Sequence, residues 1–307
     1  MGLVLSTSWN AHRHTDAKRM LAEIAELGFD GVELSFNLTR SMVRTIERLV
    51  KRSSLRVVSV HNFCPIPDRV IRPMALPDCI SLSSDDESER REAVRYAKRS
   101  VDTALSVRAH CVVLHCGRVA VADRTPELCS LYEEGLKDSD EFVRIRDQMI
   151  EERRRRAPKF LESVMRSLGE LENYARGRNV ALGVETRFYH REIPSFNELG
   201  LILNAFKGAG VYYWHDTGHA QVTETLGFAS HKDFLERYQR SLLGVHLHDV
   251  SGCRDHKVPS FGSYDFAMLL PYLSKATHKV MEVHRPAEAE DIRKGKAFLE
   301  GVFDGIL

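Results

Sequence analysis

No apolar run in this chain approaches the ~20 residues that a membrane-crossing helix needs. Neither sign of charge is in excess. The formal net charge is +1, which removes the electrostatic argument for nucleic acid or an anionic membrane as partner. The first ten residues carry no basic stretch, and their apolar segment is too short for a secretory leader. The six cysteines (Cys64, Cys79, Cys111, Cys116, Cys129, Cys253) include no CxxC pair. They are expected to be free thiols in a reducing cytoplasm, not a disulfide framework. No GxGxxG or GxxxxGK(S/T) opens a helix, so the dinucleotide and P-loop signatures are missing as well. No internal repeat or low-complexity tail is visible.

What is present is a recurring pattern. Short, β-branched apolar runs end again and again in an acid or an imidazole. LRVVSVH ends at His61, HCVVLH at His115, VALGVE at Glu185, VYYWHD at Asp216, LLGVHLHD at His246 to Asp249, and HKVMEVH at Glu282 to His284. Runs of this kind suit parallel strands buried on both faces. Eight strands are predicted, at 3–8, 31–35, 56–61, 111–115, 180–185, 211–216, 243–248 and 279–283. Helical patterns separate or follow them at 15–27, 39–52, 88–107, 159–176, 195–206, 230–240, 264–273 and 287–303. With 307 residues and 43% hydrophobic content, the chain is read as an α/β protein, one (β/α)8 TIM barrel over 1–307. Two long loops, 62–87 and 117–158, follow strands three and four. The second contains a charged stretch with helical character, and Pro158 is expected to break or start a helix.

In such a barrel the strand C-termini converge on one face, where the active site lies. Glu185, Asp216, His246 and Glu282 stand at the ends of strands five to eight. Three carboxylates and one imidazole suit a divalent cation: Mn, Zn, Mg or Co. Without a cation the three acids would repel one another. His61, His115, His219 and His256 form a second group. A strand-end histidine is either a ligand of a further ion or a hydrogen-bonded structural residue, and both readings stay open. Arg153 to Arg156 read as a solvated helix face paired with Glu151 and Glu152. Cys116 reads as a buried thiol. Trp9, Phe63, Tyr189 and Trp214 are either core or an apolar wall for a ligand.

These fragments, in this order, resemble the xylose-isomerase-like barrel superfamily, which holds sugar isomerases, sugar-phosphate epimerases and endonuclease IV-type abasic-site nucleases. The residues that carry the resemblance are His61 in VHNFCP, His115 in VLHCG, Glu185 in GVETR, Asp216 and His219 in HDTGHA, His246 in GVHLHDV, His256 and Gly262 in DHKVPSFGSYDF, and Glu282 in MEVHR. The resemblance implies that Glu185, Asp216, His246 and Glu282 bind a metal, and that Glu185 and Glu282 are the catalytic acid–base pair. It matches His61, His115, His219 and His256 to the extra ligands of the three-metal nucleases. Two departures stand out. Arg254 occupies the position of an expected aspartate ligand, with Asp255 one residue late, and the nucleases' DNA-probing tyrosine motif is replaced by His61-Asn62-Phe63-Cys64-Pro65. The expectation is a metal-dependent isomerase or epimerase of a small sugar-like substrate, possible as a homo-oligomer. The alternatives are an abasic-site phosphodiesterase and a metal-containing barrel that binds without turnover.

Overall fold

The computed structural model describes residues 2–307. Eight parallel strands close into a barrel. They are β1 (Leu3–Ser6), β2 (Val32–Leu34), β3 (Val57–His61), β4 (Cys111–Leu114), β5 (Ala181–Glu185), β6 (Val211–Asp216), β7 (Leu242–Leu247) and, after a small antiparallel hairpin of β8 (Asp249–Ser251) and β9 (Arg254–Lys257), β10 (His278–Met281). The hydrogen-bonded order is β1-β10-β7-β6-β5-β4-β3-β2, closing back on β1. All eight predicted strands are present, shifted at their ends by no more than two residues.

Helices α1 (Ala17–Ala25), α2 (Arg40–Val50), α3 (Glu87–Ser106), α4 (Thr125–Glu133), α5 (Asp140–Arg176), α6 (Phe196–Ala205), α7 (Thr217–Thr225), α8 (His231–Tyr238) and α9 (Ala289–Val302) cover the outside. Their starts follow ordinary capping chemistry. Asp16, Thr39, Asp86, Ser139 and Ser230 each accept a backbone N–H of the first turn. The predicted 62–87 loop holds only a short 3-10 turn at Arg72–Met74. The 117–158 segment is more ordered than a loop, because it contains α4 and the first half of α5.

Two expectations are corrected. Pro158 neither breaks nor starts a helix, since α5 runs through it for 37 residues. A buried stripe on both sides of the proline (Ile145, Met149, Ala157, Phe160, Val164, Leu168) holds the helix against the core despite the lost donor. The predicted helix at 264–273 is a 3-10 turn, Phe266–Leu269. Leu270 still has helical dihedrals, but Pro271 after it has no N–H to donate, which interrupts the hydrogen-bonded run.

The barrel lumen is filled by Val4, Val58, Cys111, Val113, Val280 and the indole of Trp214. Glycines make room for that indole. A Cβ built on Gly244 would lie 2.3 Å from Trp214 Cζ3 and 2.5 Å from Cη2, and one on Gly183 would lie 3.1 Å from Cε3. Trp214 in turn packs edge-on beneath His246, with ring centroids 5.2 Å apart. Overpacking a closed lumen costs about 1–3 kcal/mol. Gly244→Ala should therefore destabilise the fold by an amount in that range in urea titrations, and Gly244→Ala/Trp214→Leu should recover part of the loss. An unchanged midpoint for the single variant would contradict this packing.

Candidate active site and metal centre

β5, β6, β7 and β10 bring four side chains to one point at the C-terminal mouth. Glu185 ends β5, Asp216 ends β6, His246 is the penultimate residue of β7, and Glu282 follows β10. All four are buried. Their ligating atoms lie within 4.8 Å of one another. His246 Nδ1 is 2.8 Å from Glu185 Oε1, 3.0 Å from Glu282 Oε2 and 3.7 Å from Asp216 Oδ2. The other ring nitrogen of His246 faces Glu33 at 3.1 and 3.2 Å. Glu33 comes from β2, is fully buried, and also accepts the Ser59 hydroxyl at 2.7 Å.

This arrangement fixes the chemistry of the imidazole. Nε2–H donates to Glu33, so Nδ1 is the nitrogen that faces the three carboxylates, a donor to them when protonated and a free ligand atom when a cation replaces that proton. A histidine whose second nitrogen is held by a carboxylate is the usual form of a metal ligand. Three oxygens and one nitrogen converging in this way fit a hard-to-borderline divalent cation. Where no cation neutralises the acids, a proton must. Burial opposes the charged form of His246, but Glu282, Glu33 and Glu185 outweigh it and hold its pKa well above the ordinary value. Burial likewise opposes ionisation of Glu185 and Asp216. His115 and His246 around the first, and His219 and His248 around the second, hold both well below the carboxylate range.

The second histidine group divides in two. His61 and His115 sit beside Glu185, with Nε2 atoms 3.4 and 2.7 Å from its Oε2. His115 Nδ1 meets Asp78 at 3.1 Å, an acid from the loop after β3. Arg187 Nη1 stands 2.5 Å from His115 Nε2 and 3.1 Å from Glu185 Oε2. His219 and His256 form an outer layer. The turn from β6 into α7 places His219, because Asp216 caps that helix and accepts the His219 N–H at 2.7 Å. His219 Nε2 and His256 Nδ1 converge on Asp255 at 3.5 and 3.0 Å. Asp255 thus reaches this corner although it stands one residue late, while the exposed Arg254 turns outward to Glu133. Burial pushes the His219 pKa down to about 4. His248 supports the layer beneath. Its Nε2–H donates to Asp216 at 2.9 Å, and its Nδ1 accepts the His256 backbone N–H at 2.8 Å.

A cavity of about 250 Å³ opens above the cluster, lined by His61, His115, Glu185, His219, His256 and Glu282 below and by Phe36, Phe188, Tyr189, Leu76 and Pro77 at the rim. Of the four aromatics singled out in the sequence, only Tyr189 lines it. Trp9, Phe63 and Trp214 are core. Burial pushes the Cys116 thiol up to about 12, so it is inert. Arg153 is not solvated as expected. It is buried and paired with Glu198 at 2.6 Å, whereas Arg154 to Arg156 pair with Glu151 and Glu152 at the surface. Glu33, Asp78 and Arg187 are functional neighbours that the sequence reading missed. Glu33 left one signal, an acid inside an otherwise apolar run at 31–35.

Residues 21–302 match the family described as xylose isomerase-like TIM barrel. The chain belongs to that family. Solved structures agree on the fold. A D-tagatose 3-epimerase-like protein superposes with a TM-score of 0.69 at 19% identity, covering 100% of this chain and 98% of that one. An L-ribulose 3-epimerase gives 0.68 at 16% identity, covering 98% and 93%. A Thermus thermophilus protein soaked with zinc chloride gives 0.61 at 20% identity, covering 98% and 96%. No curated protein matches the sequence. Among the described residues no helix is long and apolar enough to cross a membrane.

Removing the acid behind a ligating histidine weakens metal binding by roughly 10–100-fold. Glu33→Gln should show a loss of that size in a competition titration against a chromophoric chelator, with the fold intact by circular dichroism. An affinity equal to wild type would mean that Nδ1 of His246 is not a ligand.

Proposed function

We propose that this protein is a metal-dependent isomerase or epimerase of a small, sugar-like polyhydroxylated carbonyl compound. The observation that carries this reading is the pair Glu185 and Glu282, both within 3.0 Å of the same His246 nitrogen at the floor of a small cavity. Glu185, Asp216, His246 and Glu282 would hold the divalent ion. When bound, it supplies Lewis-acid polarisation of a substrate carbonyl and neutralises negative charge that develops there. The two glutamates flank that position. One accepts the proton alpha to the carbonyl, and the other returns a proton to the neighbouring carbon or the opposite face. Phe36, Phe188 and Tyr189 exclude water from the reacting carbon and offer an apolar face to a sugar ring. Relatives of the same fold named as sugar 3-epimerases, and one soaked with zinc chloride, support the reading. The ion's identity is left among Mn, Zn, Mg and Co. Six unpaired thiols support a reducing cytoplasm.

One observation favours a second reading. His61, His115 and Glu185 form another group able to hold an ion, as an abasic-site phosphodiesterase with several ions would require. The two chemistries part at the bond broken. Proton transfer alpha to a carbonyl exposes a carbon to solvent exchange, and phosphodiester hydrolysis does not. Incubating metal-loaded protein with ketoses and their phosphates in D₂O should label a substrate carbon or yield an isomeric sugar. Positioned acid–base groups contribute roughly 10²–10⁴-fold, so Glu282→Gln should lower kcat by that order. Metal-dependent nicking of an abasic duplex with no sugar turned over would overturn the isomerase reading.

A further inference from the structure

His61 Nε2, His115 Nε2 and Glu185 Oε2 are arranged as a second cation position beside the four-ligand centre. A side chain already stands there. Arg187 Nη1 is 2.5 Å from His115 Nε2 and 3.1 Å from Glu185 Oε2, two of the three donor atoms. We propose that the Arg187 guanidinium is a built-in cation that takes the place of a second metal ion, so that the His61–His115–Glu185 group holds an arginine and not a divalent ion. The proposal rests on the divalent centre argued above, and its test separates the two.

Several contacts hold the guanidinium at that position. Arg187 is buried, 7% exposed. From behind, Nη2 donates to Glu192 Oε1 at 3.1 Å and lies 3.6 Å from Asp78. Glu192 is itself fixed, because its Oε2 accepts the Tyr189 backbone N–H at 2.9 Å. Asp78 accepts His115 Nδ1–H. His115 Nε2 then stands between Arg187 Nη1 at 2.5 Å and Glu185 Oε2 at 2.7 Å, so the imidazole and the guanidinium converge on one carboxylate oxygen. An ion ligated here would sit about 2.0–2.2 Å from each donor, in the space Nη1 fills. The guanidinium cannot lose its proton to make way, so the exclusion is permanent and not set by pH.

Glu185 becomes the shared element. Its Oε1 faces the four-ligand centre and its Oε2 faces the guanidinium. Arg187 thus acts as a positioning residue for Glu185. It supplies one fixed charge where a multi-ion hydrolase needs a second ion about 3.5–4 Å from the first. His115 and His61, which the sequence pattern matches to extra ion ligands, then serve to orient Glu185 and Arg187.

The test is a count of ions. Protein stripped with chelator is titrated with Co²⁺ alone, and bound metal is measured calorimetrically and by elemental analysis after desalting. Wild type should bind the same number of ions as His115→Ala, because no ion depends on the His61–His115–Glu185 group while Arg187 fills it. Arg187→Ala should gain one further ion, with a new visible absorption band from the added nitrogen ligands. The gain should vanish in Arg187→Ala/His115→Ala, which distinguishes the histidine site from loose binding to Asp78, Glu185 and Glu192. Arg187→Met keeps the stem's volume and serves as the second variant should the alanine protein fail to fold. If both variants bind no more Co²⁺ than wild type, or if the gain survives removal of His115, the assignment is overturned. A wild type that binds a second ion and loses it on His115→Ala would overturn it as well. A wild type that binds none would overturn the four-ligand centre itself, and the Arg187 proposal with it.

Discussion

The structure depends on how one buried imidazole is held. His246 stands between Glu33 on one side and Glu185, Asp216 and Glu282 on the other. Four carboxylates around one ring, all out of water, cannot share the space as free charges. Glu33 resolves half of the problem by taking Nε2–H. The other half is left to whatever sits between Nδ1 and the three acids. A proton can do it, and the raised basicity of His246 reflects that. A divalent ion does it better, since two positive charges offset more of the repulsion. The barrel makes this possible because each of its strands ends at one mouth, and because Trp214, seated on Gly244 and Gly183, gives His246 a rigid floor.

A second tier keeps the first in place. Asp78 and Glu192 hold Arg187, and Arg187 holds Glu185. His248 holds Asp216 from below. Asp255 draws His219 and His256 together at the rim. These supports come largely from the connections after β3, β5 and β7, the loops of the active-site face. Substrate room is what remains, a cavity of about 250 Å³. That is below the ~300–1,000 Å³ of drug-sized pockets and suits a small polar molecule.

Much of the fold was legible in the chain for a simple reason. A strand buried on both faces must be apolar, so a charged residue at its end is conspicuous. That contrast located Glu185, Asp216, His246 and Glu282, and the structure gathers all four. It also located His61 and His115, although their neighbour Arg187 changes what they do. The supports were not legible. Asp78 lies in a loop without periodicity, and nothing local links it to His115, 37 positions away. Glu33 could have been noticed, since an acid inside a buried strand needs a partner. The partner itself, His246, is visible only once β2 and β7 face each other across the lumen. The long helix through Pro158 and the missing helix at 264–273 show the same limit. Tertiary packing overrode the proline in the first, and in the second the donor missing at Pro271 cut short a run whose apolar spacing looked helical.

The most direct test of the central claim is anomalous diffraction from crystals of protein loaded with Mn²⁺ or Zn²⁺, recorded at the metal's absorption edge. The arrangement around His246 predicts a strong peak about 2.0–2.2 Å from His246 Nδ1 and from an oxygen of each of Glu185, Asp216 and Glu282. A peak elsewhere on the barrel, or none at this cluster in crystals shown to contain the metal, would contradict it.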